Sequence, residues 1–163
     1  MRFVGDLRIL LLVLWLGAAI FFSFAVAQSA FAVLPSRELA GTLVNRTLAI
    51  VNYSGIAVGL ILLATSFLGR QTVTRGKNLI ERILLGLLTA ACAVGQFVIG
   101  ARLHTLREQI GRPIDEIAAN DPLRTAFNSL HGYSVIVLMT AMIAALVAFF
   151  LIIRKNAGNN KLL

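Results

Sequence analysis

Two histidines, His104 and His131, are the residues whose chemistry and placement best suit ligand binding in this chain. His104 lies in "IGARLHTLREQ", where an apolar run ends, and His131 lies in "FNSLHGYSVIVL", where another apolar run begins. His104 follows Arg82 by 22 residues, and His131 precedes Arg154 by 23 residues. If the two arginines mark one membrane boundary, helical geometry places the imidazoles within about 1.5 Å of the same height.

A pair of imidazoles at one height can bind a transition metal ion or ligate a haem. His104 and His131 are therefore candidate cofactor-binding and metal-binding residues, for haem, copper or zinc. Alternatively, they could form a pH-sensitive contact between the two helices. The competing interpretation is structural, because a stable metal site usually has three or four ligands and no carboxylate is aligned with this pair. The sequence favours the structural role and predicts no resident cofactor or metal.

Motifs of enzymatic catalysis are absent from the sequence. It contains no GxSxG, HExxH or P-loop motif and no visible set of nucleophile, base and acid. The single cysteine, Cys92, lies in an apolar segment, where a thiol is a poor nucleophile. We therefore predict that the protein is not an enzyme and has no catalytic residues.

The composition is that of a membrane protein. Of the 163 residues 58% are hydrophobic and 13% are charged, with a mean hydropathy of +0.86, whereas soluble domains carry about 25% charged residues. Ionic residues and His131 leave four gaps of 28, 23, 19 and 22 residues. A helix of about 20 residues crosses a hydrocarbon core of about 30 Å, and backbone groups in lipid must pair within their own segment.

These gaps predict an all-α integral membrane four-helix bundle. The first gap is too long for the apolar region of a signal peptide, about 7–15 residues, so it counts as a span. No Asp, Glu, Lys, Arg or His lies deep within any gap, which argues against a pump or a proton-coupled carrier. We expect one transmembrane domain, residues 1–163, with spans at approximately 9–34, 47–69, 83–101 and 133–153.

The net charge of +8 is spread between the apolar segments. It predicts membrane lipids as partners, and no nucleic acid. The two chain ends and the second loop carry nine of the 15 Lys and Arg residues, so the positive-inside rule places both termini in the cytoplasm. We expect the bacterial cytoplasmic (inner) membrane.

Turn residues indicate where the long helices begin and end. Asp121 followed by Pro122 is typical of a helix start, and Ser36 is a plausible N-cap. Gly111 in "GRP" should end the preceding helix. Helices over 79–110 and 122–153 would each measure about 48 Å, so helices 3 and 4 should form a tall hairpin that extends beyond the bilayer.

Small residues suit close packing of the helices. Gly55 and Gly59 form a GxxxG motif in "GIAVG", which can serve either packing within the bundle or a homodimer. Because of the second alternative, the predicted partners include a second copy of the chain in a homodimer, or a larger membrane complex.

Three stretches resemble one family. "LWLGAAIFFSFAVAQSAFAVLPSRELAG", "RLHTLREQI" and "FNSLHGYSVIVLM" are similar to the first helix, the third-helix exit and the last-helix entry of the transmembrane protein 205-like family, whose bacterial members form a domain of unknown function, number 4149. The resemblance implies four membrane helices and no agreed catalytic residues. Trp15, Gly17, Pro35, His131 and Ser134 match its signature positions, whereas Gln28 stands where a proline and its kink are common.

The sequence thus predicts a structural or accessory role, or a role in the transport of a small or lipid-like molecule, without catalysis. One alternative is a metal- or haem-binding membrane protein that uses His104 and His131, because the copper-resistance D-like membrane domain has a similar size and first helix. Another alternative is an accessory subunit of a larger membrane complex.

Overall fold

Four long helices make up the fold of this computed structural model, which describes residues 2–68 and 75–160. Helix α1 comprises Arg2–Phe21, a π-helical stretch at Phe22–Val26, and Ala27–Val33. Helix α2 is Arg37–Leu68. Helix α3 comprises Arg75–Ala93, a π-helical stretch at Val94–Gly100, and Ala101–Ile110. Helix α4 is Pro122–Asn160, and a single 3-10 turn, Ile114–Glu116, lies in the connection before it.

The predicted all-α four-helix bundle is confirmed. Each helix contains a segment long and apolar enough to cross a membrane: Phe3–Val33, Arg37–Phe67, Asn78–Ile110 and Pro122–Lys155. The tall hairpin of helices 3 and 4 is confirmed as well, since α4 alone has 39 residues, or about 58 Å. The narrower spans expected from the charge gaps stay predictions, and residue 69, the expected end of the second span, lies outside the described residues.

Side-chain and backbone caps fix the helix ends where the sequence predicts them. The Asp121 carboxylate accepts a hydrogen bond from the Leu123 N–H at 2.8 Å, and the Ser36 hydroxyl accepts one from the Leu39 N–H at 3.2 Å. Gly111 adopts a left-handed conformation, φ 62°, in which its N–H closes the last turn of α3. A side chain is strained in that conformation, so glycine is the natural end of this helix.

The four helices form a ring in which each packs against two neighbours. Helix α3 packs most extensively, against α2 and α4, and α1 closes the ring by contacting the same two helices. The buried core contains leucines and many small residues, among them Ala141, Ala145 and Ala148 on α4. Large apolar side chains are exposed all around the bundle, which is the surface that lipid solvates. The chain is thus a four-span membrane protein.

Both glycines of the GIAVG motif face the interior of the bundle. A Cβ at Gly55 would lie 2.7 Å from the Trp15 indole nitrogen, and a Cβ at Gly59 would overlap the Thr89 hydroxyl. The indole N–H of Trp15 donates to the Val51 carbonyl at 2.9 Å, across the same contact. Absence of a side chain at these glycines therefore lets α2 approach α1 and α3 closely, as small residues do in membrane bundles.

Candidate functional site

The two ends of the bundle differ in chemistry. The terminal end holds Arg8, residues 78–82 and Lys155. The distal end holds residues 31–53 and 95–134, and it contains two adjoining cavities.

The first of these, the inner cavity, lies between α2 and α3 and has a volume of about 410 Å³. Its lining combines apolar side chains with amide groups from α2 and α3, and Ser134 contributes from α4. Tyr53 and Phe97, both more than half exposed, stand on its flank with their rings 5.9 Å apart in an edge-to-face contact. The inner cavity therefore borders the lipid-facing surface of the bundle.

The π-helical stretch of α3 shapes this cavity. Gly95, Gln96, Phe97 and Gly100 all belong to Val94–Gly100 and all line it. A π stretch widens the helix and interrupts the regular i to i−4 hydrogen bonding, and such stretches are frequent at functional sites. The π-helical stretch and the inner cavity therefore coincide along α3.

Two buried polar side chains face the inner cavity without protein partners. Asn52 is 4% exposed and Ser134 is 7% exposed, and neither side chain hydrogen-bonds to another residue in the described part of the chain. The polar atoms of both side chains nevertheless reach the cavity, because among the described residues the one fully enclosed side-chain N or O atom without a partner is Arg8 Nε. Water or a ligand in the cavity can satisfy these groups, so they are candidates for ligand contact.

The second, or outer, cavity is wider and carries charge. Its volume is about 670 Å³, and it lies among the start of α2, the end of α3, the 111–115 turn and the start of α4. Four arginines and two carboxylates line it: Arg37, Arg107, Arg112, Arg124, Glu38 and Asp115. It shares Asn45, Leu103 and Arg107 with the inner cavity. Together the two form one cleft, with a charged mouth and an inner part richer in apolar groups.

Arg107 lies where the two cavities meet. Its guanidinium stacks over the Phe127 ring, 5.4 Å from the centroid, and lies so close to Gly41 that a Cβ there would be 2.8 Å from Nη2. Within residues 2–68 and 75–160 it forms no hydrogen bond or ion pair. The half-buried Arg107 is thus held by packing, while its N–H donors stay available.

Two of the other arginines have partners. Arg124 donates to the Ile117 carbonyl at 2.5 Å, which ties the 111–121 connection to α4. Arg37 pairs with Asp115 at 3.5 Å on the surface. An exposed pair of this kind contributes about 0–1 kcal/mol, so it can open readily.

The histidines border the cleft at different places. His104 lines the inner cavity but its side chain is 74% exposed, with Nδ1 3.5 Å from the Glu108 carboxylate. His131 is exposed and lines the outer cavity. Among the described residues no three His, Cys, Asp or Glu side chains are grouped closely enough to hold a metal ion. The alternative of a metal or haem at His104 and His131 stays untested, as does the prediction of no resident cofactor.

A buried ionic cluster ties the helices together at the terminal end. Glu81 is 2% exposed and pairs with Arg8 at 2.5 Å and with Lys155 at 3.4 Å. Arg8 also donates to the Leu62 carbonyl at 3.1 Å, and Lys155 to the Asn78 amide oxygen at 2.6 Å. Because these groups come from α1, α2, α3 and α4, the cluster connects all four helices.

Sequence reasoning missed both Glu81 and the role of Arg107. Glu81 directly precedes Arg82, which the gap count treated as a boundary marker. A signal was nevertheless present, because Glu81 continues the buried stripe of Leu85 and Leu88 by one helical turn. For Arg107 the sequence offers no comparable signal, since its position depends on how α2 and α3 separate.

Comparison with known proteins finds a family but no individual relative. No curated protein and no solved structure matches the chain. A likeness to transmembrane protein 205 stays a prediction. The family match covers residues 10–112, from α1 through α2 and α3, and hence most of the residues that form the cleft. Because it extends over more than half of the sequence, the chain belongs to the family described as Domain of unknown function (DUF4149).

Proposed function

We propose that this membrane protein binds an amphipathic, lipid-like molecule in the cleft between α2 and α3, in a structural or transport-related role that involves no catalysis. We further propose that it does so in the bacterial cytoplasmic membrane, with both termini in the cytoplasm and the distal end facing outward.

The observation that carries this proposal is the continuity of the two cavities. The inner cavity of about 410 Å³ and the outer cavity of about 670 Å³ meet at Asn45, Leu103 and Arg107. Small-molecule sites typically measure about 300–1,000 Å³ and combine apolar walls with a few polar groups. A site that is apolar at one end and charged at the other suits an amphipathic molecule, which has an apolar part and a charged part.

The position of the cleft relative to the membrane supports the same class of ligand. The inner cavity lies beside residues 48–53 and 95–101, within the apolar parts of α2 and α3, whereas the outer cavity lies among the charged residues at their ends. From Asn45 to Asn52 is about 10 Å along α2. An apolar chain can therefore extend inward from a polar group held near Asn45.

Native mass spectrometry of the protein extracted from its own membrane tests this function. We expect one lipid-like molecule per chain in the wild type. Ala101, exposed on α3, lines the inner cavity, so the bulk of Ala101→Trp should fill it and displace that molecule. Ala90→Trp is the matched control, because Ala90 is exposed on the same helix and borders neither cavity.

Identical bound masses in the wild type and in Ala101→Trp would contradict binding in the cleft. The same spectra would reveal a haem, a metal ion or a constant protein partner. Those are the results required by the histidine-site and accessory-subunit alternatives.

A further inference from the structure

We infer that the charged mouth of the cleft binds the phosphate of a phospholipid headgroup, with Arg107 as its principal ligand and an acyl chain of the same lipid in the inner cavity. This inference rests on the proposed function and specifies the chemistry of the ligand.

The charge in the outer cavity favours an anion. Four arginines line this cavity against two carboxylates, and Asp115 is already paired with Arg37. The remaining arginines thus outnumber the remaining carboxylate, Glu38. An excess of guanidinium groups in a partly enclosed cavity attracts and holds a negatively charged group.

Arg107 has the geometry expected of a phosphate ligand. Its guanidinium packs against Phe127 and Gly41, while none of its donors is used by the described residues. A planar guanidinium presents paired N–H groups that match two oxygens of a phosphate. Because these contacts limit where the side chain can lie, binding loses less conformational entropy than it would with a fully exposed arginine.

The distribution of the charges favours a phospholipid over a small soluble anion. Arg107 borders both cavities, so a phosphate at Arg107 lies directly above the space that can hold an acyl chain. Gly41, which lies beside the Arg107 guanidinium, and Asn52 are about 16 Å apart along α2, so the inner cavity extends far enough from the phosphate to take an acyl chain. A soluble phosphate would leave the inner cavity unfilled.

Quantitative native mass spectrometry of the detergent-purified protein tests the inference with four probes. These are dioleoyl phosphatidylglycerol, dioleoylglycerol without phosphate, oleate, and glycerol 3-phosphate without chains. We expect phosphatidylglycerol to bind most tightly, and Arg107→Gln to weaken it by about tenfold or more, the effect of losing charge-assisted hydrogen bonds. Arg107→Lys keeps the charge but loses the paired N–H donors of the guanidinium, so its affinity for phosphatidylglycerol should lie between those of the wild type and Arg107→Gln.

Arg102→Gln is the matched control, since Arg102 is exposed on the same helix and lines neither cavity. Equal losses in Arg102→Gln and Arg107→Gln would overturn the inference, because they would indicate general surface attraction. Tighter binding of oleate or of glycerol 3-phosphate would overturn it too. If dioleoylglycerol binds as well as phosphatidylglycerol and Ala101→Trp blocks both, the phosphate inference fails while the proposed function stands. If no probe is displaced by Ala101→Trp, both fail.

Discussion

Neutralising Glu81 should destabilise the bundle by removing the buried ion pairs while leaving the packing of the side chains unchanged. The carboxylate is 2% exposed and lies between Arg8 and Lys155, whose side chains are 12% and 24% exposed. Glu81→Gln keeps the shape of the side chain and removes its charge, so two partly buried cations lose their counter-ion. The Nε atom of Arg8 is already buried without a hydrogen-bond partner among the described residues. Arg8 therefore has few other polar contacts to offset the loss of the carboxylate charge.

The expected loss follows from this burial. Removing one partner of a buried ion pair typically costs about 3–5 kcal/mol, because the other charge stays buried and unpaired. Lys155 is a quarter exposed and can turn toward water, whereas Arg8 is held by the Leu62 carbonyl. We therefore expect the lower part of that range, about 3 kcal/mol.

Unfolding in mixed micelles with increasing sodium dodecyl sulfate measures this loss. Trp15 is the only tryptophan and is 3% exposed, between α1 and α2, so its fluorescence reports the separation of these helices. Glu108→Gln is the control: Glu108 is 67% exposed, and among the described residues its carboxylate pairs only with His104. Its effect should stay below about 0.5 kcal/mol.

A double-mutant cycle then separates the ion pair from other effects. Arg8→Met and Glu81→Met should each destabilise the protein, but the double variant should cost less than the sum of the two, because neither then leaves the other's charge unpaired. If Glu81→Gln is as stable as Glu108→Gln, or if the two methionine substitutions are additive, the buried cluster does not hold the helices together and our reasoning is wrong.

Two further changes test the packing and the topology. Gly59→Ala should lower the free energy of unfolding by about 1–3 kcal/mol, because the added methyl overpacks against Thr89, and adding Thr89→Ala should restore most of that stability. Gly17→Ala is the control and should be neutral, since no atom lies within 4 Å of the added Cβ. A neutral Gly59→Ala would refute the close contact. A cysteine at Asn120 should react with an impermeant maleimide in intact cells, whereas one at Gly76 should react only after permeabilisation; the reverse pattern would refute cytoplasmic termini.

The helices could be predicted from the sequence because the membrane imposes simple rules on it. Ionic side chains are excluded from the hydrocarbon core, so their absence over 19 to 28 residues is enough to locate four helices. The ends at Gly111 and Pro122 follow from local chemistry, a left-handed glycine and a proline in the first turn, each independent of tertiary context. Both kinds of signal are local, and both agree with the structure.

The cleft could not be predicted because it depends on distances between helices. The π-helical stretch at Val94–Gly100 has no sequence signature, yet it supplies much of the inner cavity. Polar residues in membrane spans commonly form hydrogen bonds across helices, but the structure places Asn52 and Gln96 on the cavity wall. For the same reason the alignment of His104 with His131, which follows from counting residues, did not reveal that His104 is mostly exposed.

The terminal end is held together by a buried ionic cluster and the distal end contains the cleft, and this contrast bears on how the proposed ligand enters. At the terminal end, Glu81 satisfies cations from two other helices and fixes all four against one another. At the distal end, α2 and α3 are separated by the cleft, and the surface pair Arg37–Asp115 is weak. Motion that widens the cleft therefore costs least there, with the buried cluster as its fixed point. If the proposed function is correct, a lipid enters from the side at the distal end, between α2 and α3, without unfolding of the bundle.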